Sequence, residues 1–98
     1  MNESLLGLQF DTSKYHKGIQ LVLDFEKYNL SIVQHDGSYG GTQGLFEIMV
    51  SDASGGIELP GITEPGDTVK GFLTLEEVGG ICKKLTTITG NDPVKVAI

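Results

Sequence analysis

The chain has 98 residues, a formal net charge of −6, and a composition that is 39% hydrophobic and 20% charged. These values predict one folded domain over residues 1–98 with a modest core, and they exclude intrinsic disorder. Thirteen carboxylates stand against seven lysines and no arginine. That balance disfavours direct nucleic-acid binding, because phosphate and base contacts depend on lysine and especially arginine. An acidic surface of this kind keeps the protein soluble, faces a basic partner, or imitates DNA in front of a DNA-binding enzyme.

The sequence shows no signal for membrane insertion or export. No run approaches the roughly 18 apolar residues of a membrane helix, and the N-terminus lacks the basic and apolar regions of a signal peptide. We therefore expect a cytoplasmic protein. The lone Cys82 fits a reducing compartment. Its place on the apolar side of a predicted helix favours a core role over that of a nucleophile.

The N-terminal quarter has the least definite pattern. Within Met1 to Lys17, apolar residues fit a short helix or an added strand, and Asp11 to Ser13 fits a turn or a helix cap. Residues 19–26 then alternate apolar and polar side chains, which predicts a strand with one face on a core. A helix from Ser13 to Tyr28 is the alternative, because some of the same apolar residues also fit a helical stripe.

Leu30 to Ser51 is predicted to form an antiparallel hairpin around which the rest of the chain is organised. Its two apolar runs are rich in branched and aromatic side chains. Beyond it we expect a turn over residues 52–56, a short return strand at Ile57 to Leu59, an irregular loop over residues 60–67 and a last strand at Thr68 to Leu73.

A helix follows, with the most definite local signal in the chain. Thr74 is a natural N-cap, Glu77 its capping-box partner, and Gly90 a stop. The predicted apolar stripe consists of Leu75, Val78, Ile81, Cys82, Leu85 and Ile88. The pair Gly79 and Gly80 suggests close packing of the helix backbone against the sheet or another chain.

These elements predict an α+β fold, in which an antiparallel meander of three to five strands carries one C-terminal helix across a face. The tail from Val94 to Ile98 is expected to pair on a sheet edge, in the same molecule or in another.

The connection within the central hairpin is the candidate functional surface. It is longer than the two to five residues that close most hairpins and contains four glycines. We expect it to stand away from the sheet or fold back on it, and we interpret it as a mobile contact loop. Its residues are Asp36, Gly37, Ser38, Tyr39, Gly40, Gly41, Thr42, Gln43 and Gly44.

Catalytic, cofactor and metal sites are not predicted. The glycine spacing G-x-x-G-G-x-x-G matches neither a kinase flap nor a Walker A loop. A metal site would need His16 and His35 to converge with carboxylates, and Asp52, Ser54 and Glu58 do not complete a calcium loop. Ser31, Ser38 and Ser51 lack the G-x-S-x-G context of a nucleophile. We therefore expect a protein that is not an enzyme.

The segment from Tyr28 to Leu85, in particular YNLSIVQHDGSYGGTQGLFEIMV followed by PGITEPGDTVKGFLTLEEV, resembles small proteins of tailed bacteriophages and prophages that have no assigned activity. The resemblance implies a phage accessory protein that works in the host bacterial cytoplasm and binds or inhibits a host component. It supplies no catalytic residue.

Three functions remain as expectations. The first is an interaction module that contacts a protein partner through the loop and Tyr39. The second is a small-ligand or nucleotide binder that uses the same loop. The third is a self-assembling component in which the C-terminal tail or an open strand edge pairs between copies.

Overall fold

A computed structural model of the chain describes residues 3–13 and 17–98, which form a mixed α+β fold. The strands of the described residues are β1 (Ser4–Leu5), β2 (Leu8–Gln9), β3 (Asp11–Thr12), β4 (Gly18–Asp24), β5 (Asn29–His35), β6 (Phe46–Asp52), β7 (Gly55–Gly56), β8 (Val69–Leu73) and β9 (Val94–Val96), and the helix is α1 (Leu75–Thr89). A single 3-10 turn lies between β5 and β6 at Gly41–Gln43. In this part of the chain no helix has the length and hydrophobicity needed to cross a membrane.

Three long antiparallel strands, β4, β5 and β6, form the centre of the sheet. Ser31, in the middle of β5, lies opposite Val22 of β4 and Met49 of β6. Short strands complete both edges: β3 and β9 pair with successive halves of β4, and β7 and β8 pair with successive halves of β6. The predicted antiparallel meander is confirmed, and the predicted edge pairing of the C-terminal tail occurs within the molecule.

The core lies between one face of this sheet and α1. Alternate residues of β4 to β6 point into it, which is the period-two burial expected of a sheet covered on one side. Its fully enclosed side chains include Leu21, Leu23, Phe25, Leu30, Ile32, Ile48 and Val50 from the sheet region and Val78, Cys82 and Leu85 from α1. Each such side chain contributes about 1.5–3 kcal/mol by burial. Side chains on the opposite face, which we call the outer face, remain partly or largely exposed.

The strand predicted from the alternation of residues 19–26 is confirmed as β4. Leu21, Leu23 and Phe25 are all fully buried, a spacing of two that a helix cannot place on one side. The alternative helix from Ser13 to Tyr28 is therefore wrong over its described part. The N-terminal segment forms the small hairpin β1–β2 and then β3, so a turn or helix cap at Asp11–Thr12 is wrong as well.

The predicted return strand at Ile57 to Leu59 is also wrong, because the chain reverses earlier. Asp52 accepts hydrogen bonds through Oδ1 from the amide (2.8 Å) and the hydroxyl (2.5 Å) of Ser54. An Asx turn of this kind tightens a reversal. The paired return residues are consequently Gly55–Gly56, while residues 57–59 have no regular structure.

Helix α1 begins with the capping box that its sequence predicts. The Thr74 hydroxyl accepts from the Glu77 amide at 3.1 Å, and the Glu77 carboxylate accepts from the Thr74 amide at 2.9 Å. These bonds lower the pKa of Glu77. The helix ends at Gly90, which has a left-handed φ of 72°. The apolar stripe stops earlier than expected, since Ile88 is 51% exposed.

The expected close packing of Gly79 and Gly80 is not found within the chain. A Cβ on Gly79 would meet only a Leu5 methyl group at 3.8 Å, and one on Gly80 would meet nothing within 4 Å. Gly79 is half-buried and Gly80 is exposed, so contact with the sheet does not explain why glycine stands at these two positions.

Replacing Thr74 with alanine should lower the free energy of unfolding by about 1 kcal/mol, because the side-chain acceptor for the first turn is lost. Chemical denaturation measures this directly. Thr87→Ala is the control: Thr87 lies in the interior of the same helix, is exposed, and bonds only to the Lys83 carbonyl. An equal loss in both variants would contradict the capping role.

Gly80→Ala should stabilise the protein by about 0.5–1 kcal/mol, because alanine is favoured in a helix interior and its methyl group has open space. Gly71→Ala should destabilise it, because the new Cβ would overlap the Cβ of Tyr39. Thermal unfolding of the two variants measures both effects. A loss of stability in Gly80→Ala would show that another chain packs against this part of the helix.

Candidate functional site

The predicted loop folds back onto the sheet end from a tight turn at the end of β5. Ser38 makes this turn: its amide and hydroxyl donate to the His35 carbonyl at 3.1 and 2.8 Å, and the His35 amide donates to its hydroxyl at 3.0 Å. The Gly37 amide donates to Nδ1 of His35 at 3.0 Å. Ser38 is buried as a result, and the chain leaves the sheet in one defined direction.

Two of the loop's four glycines, Gly40 and Gly41, are required by close approach. A Cβ on Gly41 would overlap the His35 carbonyl oxygen. A Cβ on Gly40 would lie 2.9 Å from the Leu45 Cβ and 3.0 Å from the Phe72 Cα, and Gly40 also has a left-handed φ of 88°. Gly40 and Gly44 flank the 3-10 turn, both left-handed. The glycines therefore let the loop press against β8.

Tyr39 lies between these two turns and joins the loop to β6 and β8. Its amide donates to the Glu47 carboxylate at 2.7 Å, and its carbonyl accepts from the Phe72 amide at 3.1 Å. Its ring stacks on the Phe72 ring, with centroids 6.4 Å apart and an angle of 26° between the planes. The space over Gly71, which has no side chain, is filled by Tyr39. Both partners of the ring pair are exposed, Tyr39 by 58% and Phe72 by 56%.

Phe72 is held in a backbone conformation that such residues rarely adopt. Its φ is 57°, a left-handed value that costs a non-glycine residue about 1–2 kcal/mol. The cause is an irregularity in the pairing of β8 with β6: Phe46 lies opposite Leu73 and Ile48 opposite Lys70. Strand β8 therefore has one more residue than β6 over this interval, which is the arrangement of a β-bulge. The strain keeps an aromatic side chain out of the core and beside Tyr39.

An apolar surface continues from the ring pair along the outer face. Val69 lies opposite Met49 in the β6–β8 register, so their side chains share a face. Met49 is 39% exposed. We use the term aromatic patch for Tyr39, Phe72, Val69 and Met49. Apolar side chains this large are normally placed at contact surfaces when they are clustered and exposed.

A shallow pocket of about 290 Å³ adjoins the aromatic patch. It is lined by Tyr39, Val69, Gly71 and Phe72 together with the charged residues Glu64, Asp67 and Lys70. The Lys70 ammonium lies 3.9 Å from a Glu64 carboxylate oxygen. Asp67 accepts from the Thr68 amide at 2.7 Å. The pocket therefore combines aromatic faces with two carboxylates and one ammonium group.

The loop is more tightly hydrogen-bonded than we expected of a mobile segment. Six of its amides donate within the molecule, those of Gly37, Ser38, Tyr39, Gly41, Gln43 and Gly44. The acceptor at Tyr39 is itself an anion, the Glu47 carboxylate. A phosphate group would have to displace these acceptors, since the loop does not direct a set of unoccupied amides at one point as phosphate-binding loops do.

The sequence reasoning identified Tyr39 but missed Phe72. Thirty-three positions separate the two residues in the chain, and only the β6–β8 pairing brings them together. The sequence neighbour Gly71 was the available signal, since a glycine inside a strand often marks a bulge or a close approach. The pattern from Thr68 to Leu73 predicts a regular strand that includes Phe72 instead.

The other residues weighed for chemistry do not assemble into a site. Among the described residues no three His, Cys, Asp or Glu side chains are arranged to hold a metal ion; His16 lies outside those residues. Asp52 and Ser54 form the turn described above, which lowers the pKa of Asp52. Ser31 accepts from Gln20 at 3.2 Å. Cys82 is buried, as expected, and burial raises the pKa of its thiol to about 11.

Comparisons of the chain with protein-family models, with curated proteins and with solved structures find no match.

Gly41→Ala should destabilise the protein by about 2–3 kcal/mol, because the added methyl group overlaps the His35 carbonyl and the loop must rearrange. Gly44→Asn is the matched control, since asparagine tolerates a left-handed φ and this position has open space; its cost should stay below about 1 kcal/mol. Urea denaturation measures both. Equal stabilities would mean that the loop is not packed as described.

Proposed function

We propose that this protein is a non-enzymatic interaction module whose contact surface is the aromatic patch at the Gly-rich loop. The observation that carries the proposal is the Tyr39–Phe72 ring pair, which is exposed although its backbone is strained and its loop is anchored. Stacking of exposed rings contributes about 0.5–1.5 kcal/mol, which roughly offsets the strain at Phe72. The fold therefore gains little from displaying these rings, whereas aromatic side chains dominate binding at protein interfaces.

The rigidity of the aromatic patch also supports a role in protein interaction. The patch is fixed by the Phe72–Tyr39 and Tyr39–Glu47 hydrogen bonds and by the close approach of Gly40 and Gly71. A surface that is already ordered loses less conformational entropy on binding than a mobile loop does. A protein partner is thus favoured over a small ligand that the loop would close over. Phosphate and nucleotides are disfavoured in particular, because most of the loop amides already donate hydrogen bonds within the molecule.

We further propose that the partner is a component of a bacterial host. The support for this is the resemblance of residues 28–85 to small bacteriophage and prophage proteins, and with it we propose that the protein acts in the host cytoplasm. In that setting a small module without catalytic residues would act by occupying a surface of a host protein.

Phe72→Asn and Tyr39→Ala should each abolish capture of the partner from bacterial lysate, measured by affinity purification and mass spectrometry. Phe72→Asn should change stability by less than about 1 kcal/mol, because relief of strain compensates for the lost stacking. Loss of binding without loss of stability separates a contact residue from a structural one.

Ile88→Asn is the matched control, because Ile88 is a similarly exposed apolar residue on α1. It should retain the same captured protein. A partner that binds Phe72→Asn and Tyr39→Ala as well as it binds the original chain would place the interface elsewhere on the molecule and contradict the proposal.

A further inference from the structure

We infer that the partner presents a basic segment, with an arginine or lysine side chain seated in the pocket beside the aromatic patch. This inference rests on the proposed function and adds the chemistry of the partner. It follows from the distribution of charge around the patch, from the composition of the pocket, and from the position of Lys70.

Charge is strongly segregated along the chain. Between Lys27 and Lys70 there is no lysine or arginine, whereas this interval contains six carboxylates: Asp36, Glu47, Asp52, Glu58, Glu64 and Asp67. The interval comprises β5, the loop, β6, β7 and the approach to β8. Strands β4, β5 and β6 contain no lysine at all, so the outer face next to the patch receives no positive charge from them. Among the residues that line the pocket or bond to Tyr39, the carboxylates of Glu47, Glu64 and Asp67 stand against the single ammonium of Lys70, so the local net charge is negative.

The pocket has the two kinds of group that recognise a cationic side chain. The stacked rings of Tyr39 and Phe72 offer aromatic faces for a cation–π contact, which in proteins involves arginine more often than lysine. Glu64 and Asp67, which also line the pocket, supply carboxylate acceptors for charge-assisted hydrogen bonds. An apolar partner would take the Asp67 carboxylate out of water with only the Thr68 amide as its partner, and Glu64 with only its exposed ion pair to Lys70, at a cost that a cation lowers.

Lys70 already pairs with one of these carboxylates. Its ammonium group lies 3.9 Å from a Glu64 carboxylate oxygen, although Lys70 stands opposite the core residue Ile48 and also lies near Glu77 on the α1 side of the sheet. Both side chains are substantially exposed, so this ion pair is weak and is readily exchanged for an incoming one. Lys70 therefore acts as a competitor of the partner's cation, and its removal should favour binding.

Charge also decides against a second copy of the chain as the occupant. Two molecules of net charge −6 that met at this patch would bring Glu47, Glu64 and Asp67 of each copy together. Like charges at an interface suppress association. The apolar area would favour such a dimer, but the surrounding carboxylates oppose it.

The test is selection of peptides from a random library on the immobilised full chain, followed by affinity measurements with the best peptide. We expect enriched peptides to carry an excess of arginine and lysine, and their affinity to fall as salt is raised. Tyr39→Ala should abolish binding. The double variant Glu64→Gln, Asp67→Asn should weaken it roughly threefold to tenfold. Lys70→Gln should strengthen it about twofold to fivefold, a gain that damage to the fold would not produce.

Each other outcome overturns the inference. Enriched peptides that lack positive charge but still require Tyr39 and Phe72 would leave the proposed interaction surface intact and reject a basic partner. Peptides that bind regardless of Tyr39 and Phe72 would reject both. Recovery of no binding peptide would reject a linear basic segment. Self-association in sedimentation experiments that Phe72→Asn abolishes would identify a second copy as the occupant. Thermal unfolding of every variant verifies that these residues have been replaced without loss of the fold.

Discussion

Burial of the alternating apolar face of β4, β5 and β6 against α1 is the interaction on which the rest of the structure depends. The side chains at the centre of that face, among them Leu21, Ile32 and Ile48, are completely enclosed. Because pairing in a sheet has a period of two, this burial fixes the register of all three strands. It also leaves the other face without a covering element, since the described chain has only one helix long enough to cover a sheet. Because the single helix covers one face only, the outer face stays in contact with solvent.

The connection between β5 and β6 must satisfy two requirements, the fixed register of the strands and its own length. The strands must stay in register from Asn29–Ser51 to Val33–Glu47, yet their connection is too long for a tight turn. The chain resolves this by folding the connection onto β8, where Gly40 and Gly71 allow the backbones to approach. Strand β8 in turn accommodates an extra residue, and Phe72 takes a left-handed conformation. The exposed ring pair is thus a product of backbone packing and not of side-chain preference alone.

Features that depend on residues close together in the chain were predicted correctly from the sequence. The alternation in β4 and the capping box at Thr74 each involve residues a few positions apart, and both were correct. The edge strands were harder, because Gly55–Gly56 and Asp11–Thr12 have no apolar pattern and are strands only through their partners. The candidate site shows the same division. Tyr39 can be selected from the sequence because glycines surround it. Phe72 can be selected only once the irregular pairing of β8 with β6 is known. For the glycine pair in α1, packing against the sheet is not found, since the space beside Gly80 is open within the chain, and packing against another chain stays a prediction.

Three unfavourable features coincide at the aromatic patch: strain at Phe72, apolar surface in contact with water, and carboxylates with few positive neighbours. Each is common on its own, and none is relieved by another element of the described chain. A cationic segment lying across the rings would remove two of them, because it would cover the apolar surface and neutralise Glu64 and Asp67. The strain would remain, since it holds the Phe72 ring beside that of Tyr39 in the free protein. In the interaction that we propose, the retained strain would keep the rings in place before binding, so that less conformational entropy would be lost on association.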